Sequence, residues 1–128
     1  MTIASKFALA AACALAVGLP AAAAPASEPG DMPGCFLTRD IRNHTVGDDR
    51  TMFIDVGGRS VYRIAMSNNC LAGSTSTDPY VLRDRAGMGR FCHKIDFDVR
   101  VRGSGCIIDS VTKLTPAETA ALAKRDRP

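Results

Sequence analysis

The sequence predicts a small all-β domain, either a partly closed antiparallel barrel or a sandwich, stabilised by disulfides and finished by a short C-terminal helix. Three observations carry this. Ile95-Asp96-Phe97-Asp98-Val99-Arg100-Val101-Arg102 alternates apolar and charged residues without a break. That period of two puts the four apolar side chains on one face of a strand and the charges on the other. Other strand-forming runs are separated by glycine-rich turns, at Gly57-Gly58, Ala86-Gly87-Met88-Gly89 and Gly103-Ser104-Gly105. Cys35, Cys70, Cys92 and Cys106 fall within the same region, and a domain this size commonly needs such cross-links to supplement its core. Closure protects edge strands, so the partly closed barrel is the expected form.

The chain has 128 residues, enough for one domain. Its first 23 residues read as a secretory signal peptide. Lys6 supplies the positive start, Phe7 to Leu19 an apolar run of 13 residues, and Ala21 to Ala24 the small residues of a cleavage site. The run is short for a membrane span. Cleavage is expected after Ala22 or Ala23, with Ala26 as an alternative, since Pro25 is a poor first residue. A lipid-modified Cys13 does not fit, because an apolar run follows it where a polar tether belongs. Residues 24–34 hold three prolines, two glycines and two acids and read as a disordered leader. The β domain is expected over 35–115, and a short helix with a frayed tail over 116–128. The formal charge is +3, too mild and too scattered for the basic stripe of a nucleic-acid binder.

Within the domain, Phe36 to Val46 reads as a first strand, and Gly47-Asp48-Asp49 as a turn. Thr51 to Val56 and Arg59 to Ser67 form the clearest hairpin, reversing at Gly57-Gly58, with Tyr62, Ile64 and Met66 on one face. Leu71 to Pro79 is a polar loop, and Tyr80 to Arg83 a short strand. Cys106 to Lys113 is expected to return beside the 95–102 strand. Thr115-Pro116-Ala117-Glu118 carries the cap, proline and acid of a helix start.

An even number of cysteines in an exported chain implies two bridges. If the last hairpin turns about Ser104, Cys92 lies opposite Pro116. At about 3.3 Å per residue, that is far beyond disulfide reach of Cys106. Two pairings remain: Cys35–Cys106 with Cys70–Cys92, or Cys35–Cys92 with Cys70–Cys106. The first is favoured, because Cys70–Cys92 would staple the polar loop. No C-x-x-C spacing suggests zinc. His44 and His93 are the side chains that could add metal ligands, and neither a metal nor a cofactor is expected.

Candidate chemistry is sparse. Asp96 and Asp98 should stand about 6.6 Å apart by strand rise, a spacing that suits paired catalytic carboxylates. Their alternation with Arg100 and Arg102 marks a solvated face instead. His93 and Cys92 are strand neighbours and point to opposite faces, which is unsuited to proton sharing. Asn43-His44-Thr45 fits a glycosylation triplet too common to carry a glycan prediction. Ten arginines and one lysine, Lys94, lie between Cys35 and Cys106. Arginine forks suit carboxylates and phosphates, so Arg63, Arg100 and Arg102 are the candidate face for an anionic ligand or partner. The chain has no tryptophan and few aromatics, which weighs against a carbohydrate- or peptide-stacking platform.

Taken in order, Cys35, Arg39-Asp40-Ile41-Arg42 and Val46-Gly47-Asp48-Asp49-Arg50-Thr51-Met52 open a pattern. It continues through Gly58-Arg59, Tyr62-Arg63, Cys70-Leu71 and Gly89-Arg90-Phe91-Cys92. It closes with Gly105-Cys106-Ile107-Ile108 and Leu114-Thr115-Pro116-Ala117-Glu118. This order resembles a family of small exported bacterial proteins, a domain of unknown function, over most of the chain after the leader. The polar loop after Leu71 departs from it, where a more apolar stretch is expected. The resemblance implies a secreted, disulfide-bearing β domain and transfers no catalytic residues. The expectation is therefore a non-catalytic accessory or binding protein of the cell envelope, periplasmic or extracellular, with no transmembrane segment after cleavage. The alternatives are a secreted enzyme inhibitor acting through Leu71 to Pro79, or a metal or anion binder.

Overall fold

A computed structural model describes residues 31–128; the expected signal peptide and most of the expected leader lie outside the described residues. The strands are β1 (Asp31–Leu37), β2 (Ile41–Asp48), β3 (Thr51–Val56), β4 (Ser60–Met66), β5 (Tyr80–Asp84), β6 (Arg90–His93), β7 (Phe97–Val101), β8 (Ser104–Cys106) and β9 (Ile108–Lys113). One helix, α1 (Pro116–Ala121), follows. Three antiparallel sheets result, ordered β2-β3-β4-β9, β5-β7-β8 and β1-β6. None closes on itself, so the arrangement is sandwich-like and not the barrel favoured from the sequence. Two edge strands each take a side-chain bond from a neighbouring segment: Ser76 Oγ accepts from the Val46 N–H of β2 at 2.9 Å, and Lys94 Nζ donates to Asp109 O of β9 at 3.0 Å.

The β3–β4 hairpin forms as the sequence predicts. Gly57 and Gly58 take positive φ values of 67° and 71°, and Val56 pairs with Ser60. Tyr62, Ile64 and Met66 all point into the core. Facing them are Phe97, Val99 and Val101 of β7, also buried. Phe36 of β1 joins the three sheets, its ring 4.8 Å from Tyr62, 5.4 Å from Phe91 and 6.1 Å from Phe97. Burying side chains of this size is worth about 1.5–3 kcal/mol each.

Four segments differ from expectation. The alternating stretch begins as a strand only at Phe97, and Ile95, placed by periodicity on the dry face, is 71% exposed. Asp96 accepts from the Cys92 and His93 N–H groups at 2.7 and 2.8 Å, folding 94–96 into a 3-10 turn. A short acid bonding to nearby backbone competes in this way with a sheet ladder. The hairpin after β7 turns tightly at Arg102-Gly103, so Val99 faces Cys106, and the chain then leaves that sheet. Its continuation, β9, pairs with β4 instead of β7. The expected 36–46 strand is broken by a 3-10 turn at Thr38–Asp40, and β1 begins at Asp31, ahead of the expected domain start at Cys35. Finally, the C-terminal tail docks on the domain. Buried Thr45 donates its hydroxyl to Asp126 O at 2.6 Å, while α1 and the tail cover Phe53 on the outer face of the four-stranded sheet.

The cysteines pair as Cys35–Cys92 and Cys70–Cys106, correcting the favoured Cys35–Cys106 with Cys70–Cys92. The exclusion of Cys92–Cys106 stands. β1 pairs with β6 at Phe36–Phe91 and Leu37–Arg90, and this register carries Cys35 directly opposite Cys92, with Cα atoms 4.2 Å apart. Asn68 brings the loop after β4 to Cys106: its amide donates to Gly105 O at 3.0 Å and accepts from Ile107 N–H at 2.8 Å. The Cys70–Cys106 bridge closes the same contact.

Candidate functional site

The three arginines singled out in the sequence do not form one face. Arg63 lies on β4, exposed on the outer side of the four-stranded sheet. Arg100 lies on the outer side of the three-stranded sheet, its Nε 3.6 Å from Asp98 Oδ1. The inner sides of these two sheets share the core, so the outer sides point apart. Arg102 sits in the β7–β8 turn at φ 52° and donates from Nη1 to Gly73 O at 2.8 Å. Each is tied to its own surroundings: Arg63 lines a crevice with Glu118 of α1. Hydrogen bonds from Thr115 backbone and hydroxyl, with the Arg63 charge behind them, hold the Glu118 carboxyl below its usual range.

The acids are likewise engaged. The Cys92 and His93 N–H groups hold the Asp96 carboxyl below the usual range, against the opposing effect of burial and with help from His93. Asp84 organises the 85–89 turn. Burial pushes its carboxyl up, but donors from Ala86, Arg90, Met88 and Gly89 outweigh that and leave it low. The His44 ring packs against Tyr80 with centroids 4.0 Å apart and planes tilted by 48°; burial pushes its imidazole down, and a bond to the Asp78 backbone opposes this in part. His44 and His93 are on separate strands, and among the described residues no three His, Cys, Asp or Glu side chains gather as a metal site.

The polar loop considered as an inhibitory plug is firmly docked. Leu71 at its base is 1% exposed, Arg102 holds Gly73, and Thr75 N–H donates to Asp78 Oδ2 at 2.7 Å. Its outward residues are small and polar, with no large side chain to fill a cleft.

A groove of about 550 Å³ lies elsewhere, where β4, β9 and α1 meet. The sequence builds it in three steps. The Gly57-Gly58 turn sets Arg59 at the rim. Pairing of Tyr62 with Lys113 brings the end of β9 alongside, and Leu114 N–H donates to Val61 O at 2.8 Å. Thr115 then caps α1, accepting from Glu118 N–H at 3.2 Å, and Pro116 starts the helix over the sheet. The floor is Val61, Leu114, Pro116 and Ala120, and the rim carries three cations, Arg59, Lys113 and Arg127. Arg127 is fixed by bonds from Nε to Leu122 O at 3.1 Å and from Nη2 to Ala120 O at 2.7 Å. Among the described residues, no carboxylate lies within 4 Å of the charged nitrogens of these three. Asp55, which faces Val61 across the β3–β4 ladder, turns its carboxylate to Gly58 N–H at 3.0 Å. A volume of this size is typical of small-molecule sites.

Sequence reading did not find this cluster. Arg59, Lys113 and Arg127 are far apart in the chain, and the tail carrying Arg127 reads as frayed. Their sequence neighbours share no pattern; the return of β9 beside β4 brings Lys113 in, and the tail folding back on α1 brings Arg127.

Comparison with known proteins brings no relative to bear. No family model matches the chain, and no curated protein and no solved structure matches it significantly. The resemblance to exported bacterial proteins rests on residue order alone, and among the described residues no helix is long and apolar enough to cross a membrane.

Proposed function

We propose that the protein is an exported, non-catalytic binding module of the cell envelope that holds an anion-bearing ligand in the groove between β4, β9 and α1. The observation that carries this is the pairing of an apolar floor with three cations and no acid in the lining. Apolar contact supplies affinity there, and fixed cations select the charge. The signal-like start of the chain supports export, and two disulfides fit an oxidising compartment.

The test uses anilinonaphthalene sulfonate, which joins an apolar body to one anionic group and brightens on leaving water. Native protein should bind it saturably, one to one. Arg59→Gln with Lys113→Gln should weaken binding about tenfold, the scale of one lost charge-assisted bond. Raising salt should weaken it as well, since the rim is exposed to screening. Absence of saturable binding, or binding that ignores both the substitutions and salt, overturns the reading.

A further inference from the structure

We infer that the occupant of this groove is a single-chain amphiphile with a carboxylate head, of the fatty-acid type; this rests on the anion-binding reading above and narrows it. The floor decides the body of the ligand. β4 lies between β3 and β9 in its sheet, so its backbone is paired on both sides, and Val61 O already accepts from Leu114 N–H. A peptide that binds by adding a strand needs an edge with backbone donors and acceptors to spare, and β4 presents none. The floor presents the methyl and methylene surface of Val61, Leu114 and Ala120, which suits an acyl chain.

The rim sets the charge of the head. Two of its three cations are arginines, whose planar forks match a carboxylate with two parallel bonds. Arg127 is already held by Ala120 O and Leu122 O and uses only part of its five-donor guanidinium. Less side-chain freedom is then lost when a ligand arrives. Lys113, at the end of β9, adds a point charge to the rim.

The experiment is displacement of bound anilinonaphthalene sulfonate from the native protein by decanoate, hexanoate, decanol and decyl phosphate. Decanoate should displace it. Decanol should be at least about tenfold weaker for want of the charge, and hexanoate weaker still than decanoate, for want of buried methylenes. Ala120→Asp, an exposed helix position, should abolish decanoate binding while the melting temperature stays close to that of the parent. Equal potency of decanol, or of hexanoate, overturns the inference, as does a clear preference for decyl phosphate. If the dye binds but decanoate fails to displace it, the anion-binding reading stands and the acyl carboxylate falls. If the dye itself does not bind, both fall.

Discussion

At the scale of single residues, His44 is the side chain whose protonation reports on packing. It stands on edge strand β2 and packs its ring against Tyr80 at the start of β5, so it links two sheets. Burial lowers its pKa from 6.5, which means the unfolded chain binds the proton more readily. Stability from this site is therefore present above pH 6.5 and is lost as pH falls through the folded value. Urea unfolding at pH 7.5 and 5.5 should show the parent losing stability at the lower pH, and His44→Gln losing distinctly less. An equal loss in both proteins would show that another group is responsible. The carboxyls held low, those of Asp84, Asp96 and Glu118 among them, act in the same sense but at more acid pH. None of this was legible in the sequence, where His44 stood out as a possible metal ligand and as the middle of a glycosylation triplet. A packing partner 36 positions away leaves no local trace.

At the scale of elements, the notable packing is on the outer face of the four-stranded sheet. β3 buries Met52, Phe53 and Ile54 in succession, which periodicity does not predict for a half-wet strand. Phe53 points away from the main core and is 6% exposed because α1 and the tail lie over it. Gly47 on β2 makes room for its ring: a Cβ there would fall 2.8 Å from Phe53 Cε2. Gly47→Ala should accordingly destabilise by about 1–3 kcal/mol, as overpacking does. Denaturant midpoints of the single and double variants check this, because Phe53→Leu should relieve part of the cost. Additive losses would show that the ring is not the obstacle. The β3–β4 hairpin and the capping box of α1 were readable because their signals are local. The tail's docking was not, since it depends on Thr45 meeting Asp126 O, 81 residues on.

At the scale of the whole molecule, the two disulfides replace much of what a larger core would supply. They span 57 and 36 residues, and each should contribute up to about 4 kcal/mol by restricting the unfolded chain. Non-reducing peptide mapping should recover Cys35 joined to Cys92 and Cys70 joined to Cys106. Replacing Cys70 and Cys106 together by serine should lower unfolding stability by several kcal/mol; a loss below about 1 kcal/mol would count against this role. The all-β class was legible from alternation and turns. The pairing was not, because it follows from the β1–β6 register and from Asn68, both set by contacts between distant segments.

The bridges also cross: the first cysteine of the domain joins the third, and the second joins the fourth. A chain emerging N-terminus first into an oxidising compartment presents Cys35 and Cys70 before either partner exists. A bond made at that moment is a wrong one, and thiolate exchange must undo it before the native pair can form. Oxidative refolding from the reduced chain should therefore recover native protein faster in a thiol–disulfide shuffling buffer than with an oxidant alone.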